Sequence, residues 1–292
     1  LRPRRQRQMC IRDRFGVFNS VKDAHKYLEK SNKPIVVKAD GLAAGKGVYI
    51  CADTESAKNA VNEIFDGKFG TANQVLIEEF LQGEEMSYFV ISDGKTFTKF
   101  NTAQDHKRVG EGDKGKNTGG MGAYSPSGLI NKELDLKIIE TVIKPTFQAI
   151  KDMDETYKGF LYVGLMIRDN NPYLVEYNVR MGDPECQTIL PLLDTDLLEL
   201  ILSCCEENLE NQTINWSDKK SMCIVLCSNG YPDTYKKNIE IPNLDKITSN
   251  NNSFIYHAGT EMIDNKVYAT GGRVLNFVSI SDDLKKSRES VI

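Results

Sequence analysis

A glycine-rich segment between two apolar runs constrains the fold of this 292-residue chain more than any other feature. The run Ile35–Val37 leads into Gly41-Leu-Ala-Ala-Gly45-Lys46-Gly47, and Val48–Cys51 follows directly. A Walker A loop needs four residues between its first glycine and its Gly-Lys pair, then a hydroxyl residue, and it opens a helix. Here three residues precede the Gly-Lys pair, a glycine replaces the hydroxyl residue, and the segment joins two predicted strands. The sequence therefore excludes a Walker ATPase but not phosphate binding, because small residues let backbone N–H groups approach an anion closely.

Two lysines in this segment are candidates for phosphate contacts. Lys38 ends the first predicted strand, where it is placed to hold the α-phosphate of a nucleotide, and Lys46 lies among the glycines within reach of phosphates. A flexible hairpin tip explains the same residues equally well, so the segment alone leaves both interpretations open.

A second candidate nucleotide contact is the acidic end of the predicted strand Val75–Glu79. The run Glu78-Glu79-Phe80-Leu81 combines carboxylates with a short apolar link, which can hydrogen-bond the edge of an adenine base. Glu85 follows seven residues after the first carboxylate and can accept the two hydroxyls of a ribose. By itself, this run is also explained as a solvated acidic strand end.

The chain from Leu174 to Arg180 alternates apolar and polar residues, so Glu176, Asn178 and Arg180 are predicted to share one face of an extended segment. A carboxylate and an amide oxygen are hard ligands that suit Mg²⁺, which usually takes one or two protein groups besides phosphates. An arginine on the same face would stabilise charge on a transferred phosphoryl group. Any exposed sheet face shows such alternation, but the neighbouring Gly182-Asp183-Pro184-Glu185 makes this pattern more specific.

Hydrophobic periodicity predicts alternating helices and strands without internal repeats. Ser20 and Thr54 are predicted caps of the first two helices, and the predicted helices cover residues 20–30, 54–65, 132–152 and 197–208. Strands are predicted over residues 35–37, 48–51, 75–79, 86–92, 96–100, 160–167 and 173–177. A polar, glycine-rich loop is predicted from Gln104 to Ser125, and loops this long inside compact domains are usually functional or disordered. From Ser221 onward the pattern is rich in strands, and the chain ends in a helical pattern.

Six motifs, in their order and spacing, resemble those of ATP-grasp ligases and, more narrowly, of the phosphoribosylamine–glycine ligase family. The narrower likeness rests on Gln104-Asp-His-Lys-Arg-Val109, Asn117-Thr-Gly-Gly-Met-Gly-Ala-Tyr-Ser-Pro126 and Arg180-Met-Gly-Asp-Pro-Glu185. Further along, His257-Ala-Gly-Thr260 and Thr270-Gly-Gly-Arg-Val274 fit the domain that closes the family's fold. The resemblance covers residues 15–292 and implies an α+β ATP-grasp fold. In that fold, two α+β subdomains clasp ATP, and part of a small β-rich C-terminal domain follows.

The same resemblance implies an ATP-dependent carbon–nitrogen ligase whose substrates are glycine and 5-phosphoribosylamine. ATP is expected to phosphorylate glycine to glycyl phosphate, since a carboxylate is a poor acylating agent. The amine then displaces phosphate and gives glycinamide ribonucleotide, ADP and phosphate, a step of purine biosynthesis.

The resemblance also implies roles for single residues. ATP contacts are expected from Lys38, Gly45, Lys46, Gly47, Glu78, Glu79, Phe80, Leu81 and Glu85. Mg²⁺ or Mn²⁺ is expected on Glu176 and Asn178. Catalysis is expected from Arg180 and Lys46, and from Asp183 and Glu185 near the reacting amines. Phosphoribosylamine contacts are expected from His106, Lys107, Arg108, Asn117, Thr118 and Gly119, while a mere polar loop residue is the alternative for His106. The glycines around Gly45 and at Gly119–Gly122 suit loops that close over phosphates.

Three segments are predicted from composition and motif order. Residues 1–14 hold six arginines and one aspartate, and we interpret them as a non-native basic segment. Residues 15–218 form the predicted ATP-grasp domain, and residues 219–292 form a partial C-terminal domain. The family's N-terminal nucleotide-fold-like domain is expected to be absent, as is part of the C-terminal domain, so a truncated ligase is expected.

Composition excludes several other classes of protein. A formal net charge of −4 argues against a nucleic-acid scaffold, and no apolar run approaches the roughly 18 residues of a membrane span. Seven cysteines without repeated spacing and three separated histidines argue against a disulfide framework and a zinc site. We therefore expect a cytoplasmic monomer without nucleic-acid or membrane partners. Fusion to other purine-pathway domains in the full-length protein stays open.

Three alternative functions remain open. Another ATP-grasp carboxylate–amine ligase would share the nucleotide half, although the 104–126 loop argues against it because that part faces the second substrate. A truncated nucleotide-binding module without turnover would keep the fold, while the presence of Lys46, Glu176, Asn178 and Arg180 argues against degeneration. A nucleic-acid-binding protein with a basic arm is the third alternative, and its binding would depend on residues 1–14 and on salt.

Overall fold

The computed structural model of the protein describes residues 15–30, 34–40, 47–112, 114–247 and 252–292. The chain divides into two compact units between Gly83 and Glu84. We call the described residues up to Gly83 the N-terminal unit and Glu84–Ile292 the C-terminal unit. The division falls within the predicted ATP-grasp domain, and the boundary near residue 218 stays a prediction. The basic segment 1–14 lies outside the described residues.

The N-terminal unit is an antiparallel four-stranded sheet with two helices. Its elements are β1 (Phe15–Phe18), α1 (Val21–Leu28), β2 (Ile35–Ala39), β3 (Val48–Cys51), α2 (Thr54–Phe65) and β4 (Val75–Glu79). The strand order is β1-β4-β2-β3, so the three predicted strands are confirmed and β1 is an addition. Apolar residues of the helices and the sheet form one core, which includes Leu28, Val37, Ile64 and Ile77. Burial of these side chains is the main stabilising contribution to the unit.

The starts of both helices follow from polar caps. The side chain of Ser20 accepts a hydrogen bond from the Asp23 N–H at 3.2 Å, as predicted, and α1 ends at Leu28. The cap of α2 is Asp53 and not Thr54, because the Asp53 carboxylate accepts the Ser56 N–H at 2.7 Å. The predicted cap was therefore wrong by one residue, and Thr54 is already helical.

The C-terminal unit combines α-helices, short 3₁₀ helices and several sheets. Its first elements are β5 (Glu84–Asp93), β6 (Phe97–Lys99), β7 (Gln104–Asp105), β8 (Arg108–Gly110), β9 (Lys114–Asn117), β10 (Gly122–Ser125), α3 (Lys132–Ile138) and α4 (Lys144–Lys151). Next come β11 (Lys158–Arg168), β12 (Asn171–Asn178), α5 (Glu185–Ile189) and α6 (Leu197–Cys205). The last are β13 (Lys220–Cys227), β14 (Ile239–Glu240), β15 (Ser253–His257), β16 (Thr260–Ile263), β17 (Lys266–Ala269), β18 (Arg273–Ser281) and α7 (Leu284–Val291). Among the described residues, the sheets have the orders β12-β11-β5-β6, β15-β18-β13-β10-β7, β14-β17-β16 and β8-β9.

The four predicted strands over 86–92, 96–100, 160–167 and 173–177 form two hairpins, which build the first of these sheets. β5 pairs with β6 and with β11, and β11 pairs with β12, all antiparallel. Asp169 and Asn170 turn the chain between β11 and β12 with φ of 51° and 57°, as a two-residue hairpin turn requires. The core on this sheet includes Phe89 and the α6 residue Leu200. The single tryptophan, Trp216, packs against it and is a natural reporter of its integrity.

Two predicted helices differ from their observed form. The helix over 132–152 is present, but the π-helical turn Ile139–Ile143 separates α3 from α4. The helix predicted to reach residue 208 ends at Cys205, since Glu207 adopts a left-handed φ of 59°, which ends helical geometry.

The prediction of one unstructured loop over 104–125 was wrong. The region contains β7, β8, β9 and β10, and β10 pairs with β13 in the register Ala123 to Cys223. Strands of two to four residues carry too little alternation to be recognised from sequence, and the β13 partner of β10 lies about a hundred residues away. The β-rich character after Ser221 and the final helix are confirmed. Within the described chain, no helix combines the length and apolarity needed to cross a membrane.

Candidate functional site

Glu176 and Asn178 lie side by side at the end of β12, as the alternation predicts. The Asn178 Nδ2 donates a hydrogen bond to Glu176 Oε1 at 3.2 Å. Gly164 stands opposite Glu176 on β11, and a Cβ there would lie 3.1 Å from the Glu176 Cγ. Glycine at this position therefore leaves the space that the Glu176 side chain occupies.

The chemistry of this pair fits a hard divalent cation. Glu176 offers carboxylate oxygens, and a half-turn of the Asn178 amide would present its oxygen beside them. Phosphate oxygens and water fill the other positions around Mg²⁺ in nucleotide enzymes. The pair is therefore suited to a metal that also binds a nucleotide.

Arg180 departs from the predicted arrangement. β12 ends at Asn178, so the two-residue alternation does not extend to Arg180. Its guanidinium donates a hydrogen bond to the Met181 carbonyl at 2.9 Å and is bound to the local backbone. The prediction that all three polar residues share one extended face was wrong for the arginine.

A pocket lies between the strands that carry the predicted metal pair and those that carry the predicted substrate residues. Glu85, Lys107, Tyr162 and Glu176 line it. The Lys107 Nζ lies 2.8 Å from the Glu85 carboxylate. The fold thus brings the predicted ribose, phosphoribosylamine and metal contacts of this unit to one pocket.

Acidic groups surround Lys107 next to this pocket. Burial disfavours its charge, but the acidic groups of Tyr162, Asp105 and Glu85 outweigh burial and raise the pKa of the ammonium. Burial also raises the pKa of Asp105 to about 7, against the lowering effect of Lys107, and Glu185 raises it further. Asp105 was not among the predicted site residues, although it lies within the Gln104–Val109 motif.

Glu185 is a buried carboxyl with a short hydrogen bond. Its side chain accepts from the Ser87 hydroxyl at 2.9 Å, and the Tyr162 hydroxyl lies 3.3 Å from the same Ser87 oxygen. Burial raises the pKa of Glu185. A Cβ on Gly182 would lie 2.5 Å from the Glu185 carboxylate, so the glycine of the motif makes room for it. A carboxyl held in this way favours its protonated form more than a solvated one does.

The predicted phosphoribosylamine contacts are brought together by the short strands. Arg108 and Asn117 are partners across the β8–β9 hairpin. The Thr118 N–H and hydroxyl both donate to the Lys107 carbonyl at 2.8 Å. His106 is exposed, and its backbone pairs with the chain at residues 121 and 122. These residues therefore form one surface beside the pocket.

Asp183 and Gly119 meet at a single arginine that the sequence analysis did not single out. The Arg273 guanidinium donates to the Asp183 carboxylate at 2.9 Å and to the Gly119 carbonyl at 2.8 Å. The Tyr231 hydroxyl accepts the Gly119 N–H at 2.8 Å. Gly119 is thus held by hydrogen bonds, in contrast to the flexible glycine that the sequence suggests. The sequence feature that could have identified Arg273 was the Thr270-Gly-Gly-Arg-Val274 motif.

The N-terminal unit carries the other predicted nucleotide contacts. Lys38 forms a salt bridge with Glu78 at 2.8 Å, and only 2% of the Glu78 side chain is exposed. Glu79, Phe80 and Leu81 follow at the end of β4 and are partly buried. The Ala39 N–H donates to the carbonyl of the buried Gly47 at 2.8 Å. Gly45 and Lys46 lie outside the described residues.

Comparison with known proteins connects this geometry to one family. The family model described as phosphoribosylglycinamide synthetase, ATP-grasp (A) domain, matches residues 7–186, and the C-domain model of the same synthetase matches residues 221–292. A phosphoribosylamine–glycine ligase of Leptospira interrogans is 46% identical over 94% of this chain and 64% of its own length. One from Vigna unguiculata is 43% identical over 89% of this chain and 86% of its own length. The chain spans less than two thirds of the length of the first curated relatives, for example 62% of the Brucella melitensis ligase.

Solved structures agree with these sequence matches. The phosphoribosylamine–glycine ligase of Thermotoga maritima has a TM-score of 0.88 and 32% identity, over 98% of this chain and 71% of the other. A biotin carboxylase from Campylobacter jejuni, solved as a β,γ-ATP complex, has a TM-score of 0.67 at 16% identity, over 93% of this chain and 59% of the other. The second likeness bears on the fold alone. The predicted α+β ATP-grasp fold with a following C-terminal domain is confirmed.

Proposed function

This chain belongs to the phosphoribosylglycinamide synthetase family, and on that premise we propose that it carries the ATP-grasp domain and the matched C-domain segment of a phosphoribosylamine–glycine ligase. It uses ATP to join glycine to 5-phosphoribosylamine and releases glycinamide ribonucleotide, ADP and phosphate. The single observation that carries the proposal is the pocket in which Glu176, Glu85 and Lys107 meet. That pocket combines the proposed metal ligand Glu176, the proposed ribose acceptor Glu85 and Lys107, a cation of residues 104–125, which we call the substrate loop.

The first half of the proposed reaction is phosphoryl transfer to glycine. A carboxylate oxygen of glycine attacks the γ-phosphorus, the bond to the β-phosphate oxygen breaks, and ADP leaves. Mg²⁺ on Glu176 and Asn178 would neutralise charge on the phosphates. Lys38 and Lys46 bind phosphates, and Arg180 stabilises the transferred group when its guanidinium leaves the Met181 carbonyl.

The second half is attack by the amine of phosphoribosylamine on the acyl carbon of glycyl phosphate. The carbon–nitrogen bond forms, phosphate leaves, and the nitrogen loses a proton. Asp183 and Glu185 are the proposed groups near the reacting amines, and burial raises the pKa of Glu185, which favours its role as a proton-exchanging carboxyl. Residues 106–108 and 117–119 bind the phosphoribosyl part. The substrate loop and the pocket exclude water from the acyl phosphate.

The decisive experiment measures ADP release from MgATP with glycine and freshly generated phosphoribosylamine, supplied separately and together. We would run it on this chain and on a chain completed with the segments that a longer relative carries beyond the matched region. ADP release that requires both substrates and disappears in Glu176→Gln supports the ligase. ATP binding without a response to either substrate in the completed chain would favour a nucleotide-binding module.

The identity of the metal ion, the oligomeric state, the cellular compartment and the absence of macromolecular partners are also proposals. Substitution of Mn²⁺ for Mg²⁺ in the same assay tests which ion supports turnover. We keep the prediction of a cytoplasmic monomer without nucleic-acid or membrane partners. Gel filtration with light scattering would test the oligomeric state.

A further inference from the structure

One side chain, Arg273, connects two segments that lie far from it in sequence. Its Nη1 donates to the Gly119 carbonyl at 2.8 Å and to the Asp183 carbonyl at 2.9 Å, and its Nη2 donates to the Asp183 carboxylate at 2.9 Å. Only 23% of the Arg273 side chain is exposed. A guanidinium presents several N–H donors in a fixed plane, so it can satisfy three acceptors at once in a way that lysine cannot.

The backbone of the loop passes close to Arg273 and to Pro184. A Cβ on Gly119 would lie 3.0 Å from the Arg273 Cζ, so a side chain there would press on the guanidinium. A Cβ on Gly120, whose φ is +112°, would lie 2.5 Å from the Pro184 Cδ. Gly120 is therefore required both by close approach and by its backbone conformation. The loop is fixed by packing as well as by hydrogen bonds.

Arg273 is itself held at its backbone. The preceding Gly272 has its carbonyl bound by the Ser228 N–H at 2.8 Å, and a Cβ on Gly272 would lie 2.4 Å from the Tyr231 ring. Tyr231 in turn accepts the Gly119 N–H. Tyr231 thus contacts both the start of β18 and the loop that Arg273 binds, and this packing preorganises the guanidinium.

Among the described residues, the hydrogen bonds of the Arg273 side chain end on Gly119 and Asp183. These two residues belong to the proposed phosphoribosylamine side and not to the metal pair Glu176–Asn178. We propose that Arg273 is a positioning residue for the amine-accepting half of the reaction, a role that rests on the proposed function. It sets the distance between the substrate loop and Asp183, and so the place where the phosphoribosyl amine meets the acyl carbon.

The first test is amide hydrogen exchange of residues 117–121 in the wild-type chain, in Arg273→Ala and in Arg288→Ala. Arg288 is exposed on α7 and gives a control with the same change of charge. We expect exchange at least tenfold faster than in the wild-type chain for Arg273→Ala, and exchange at the wild-type rate for Arg288→Ala. Equal exchange in all three proteins would overturn the positioning role, whether or not the chain is a ligase.

The second test separates the two halves of the site by affinity. We would measure the Kd of glycinamide ribonucleotide, a stable product, and the Kd of MgATP by calorimetry. Arg273→Ala should weaken product binding about tenfold and leave MgATP binding unchanged, with Arg273→Lys in between. Equal weakening of both ligands would contradict the proposal. Failure of the wild-type chain to bind the product would contradict the proposed function, while the exchange result still decides the positioning role.

The third test is chemical rescue. Added guanidinium ion, at concentrations below those that unfold the Trp216 core, should restore product affinity in Arg273→Ala and do nothing for Arg288→Ala. A merely structural loss would not respond to the free ion. Absence of rescue, together with wild-type affinity in Arg273→Lys, would overturn the requirement for a planar donor group.

Discussion

The Glu176–Asn178 pair and the contact that Arg273 makes with both Gly119 and Asp183 are built in opposite ways. The first pair occupies alternate positions of a single strand, β12, so its geometry follows from the pleat. The second is assembled from a loop, a turn and the start of β18 by one guanidinium. A strand-borne pair depends on local backbone conformation, whereas the assembled contact depends on the correct placement of distant segments. The metal pair should therefore tolerate changes elsewhere, and the assembled contact should not.

The largest expected effect is the loss of Glu176, the proposed metal-binding carboxylate. Glu176→Gln should reduce metal-dependent ADP release by about a hundredfold or more, since loss of an outer partner of a metal ligand alone costs about 10- to 100-fold. Unfolding followed by Trp216 fluorescence should stay close to that of the wild-type protein, because the substitution preserves the shape of the side chain. Unchanged turnover would remove Glu176 from the mechanism.

A smaller effect is expected where the assembled contact is broken by sterics. Gly120→Ala should lower the free energy of unfolding by about 1–3 kcal/mol and weaken product binding, because its φ of +112° and the nearby Pro184 leave no room for a Cβ. Gly128→Ala is the matched control, since no atom lies within 4 Å of its added Cβ. The control should be neutral or slightly stabilising, by under about 1 kcal/mol. Equal losses in both variants would show that the close approach at Gly120 has no special importance.

The Asp105 carboxyl gives a pH-dependent prediction. Burial raises its pKa from 3.8 to about 7, with Lys107 lowering it and Glu185 and Glu85 raising it. Between pH 3.8 and about pH 7, the folded chain therefore keeps the Asp105 proton, whereas the unfolded chain has lost it. Its contribution to stability is present at low pH and is lost as the pH rises through about 7, by at most about 1.4 kcal/mol for each pH unit.

Asp105→Asn removes this titrating group. The stability of the variant relative to the wild-type protein should therefore rise between pH 5 and pH 8. Urea unfolding at both values, followed by Trp216 fluorescence, measures the difference. Asp282→Asn is an exposed control and should show no such pH dependence. Parallel pH profiles of Asp105→Asn and the wild-type protein would contradict the raised pKa.

The smallest effect is expected at the rim of the assembled contact. Lys116 on β9 pairs with Asp233 at 2.7 Å, but 67% and 62% of these side chains are exposed. Lys116→Ala should cost under about 1 kcal/mol of stability, and less at high salt, where surface charges are screened. Unfolding at low and high salt measures both. If Lys116→Ala weakened product binding as much as Arg273→Ala does, the Lys116–Asp233 pair would contribute as much to product binding as Arg273, contrary to this prediction.

Local features of the fold could be predicted from the sequence, and distant pairings could not. The metal pair lies on one strand, so alternation alone placed Glu176 beside Asn178. Arg273 binds Gly119 and Asp183, which precede it by 154 and 90 residues, and no periodicity relates residues so far apart. The strand β10 was missed for the same reason, since it pairs with β13, whereas β8 and β9 pair with each other and are too short to show a period. Asp105 was missed because its unusual pKa arises from burial, which composition does not reveal.

The separation of Arg273 from Asp183 has a consequence for the order of events during synthesis. The metal pair is complete in the nascent chain once residue 178 has been made, whereas the loop and the turn await a side chain that is translated 90 residues after Asp183. At ribosomal rates of about 5–20 residues per second, that interval is about 5–18 s. A nascent chain would acquire its nucleotide-facing half well before its amine-facing half. For the proposed ligase reaction, productive use of ATP would thus be deferred until the ribosome has added Arg273.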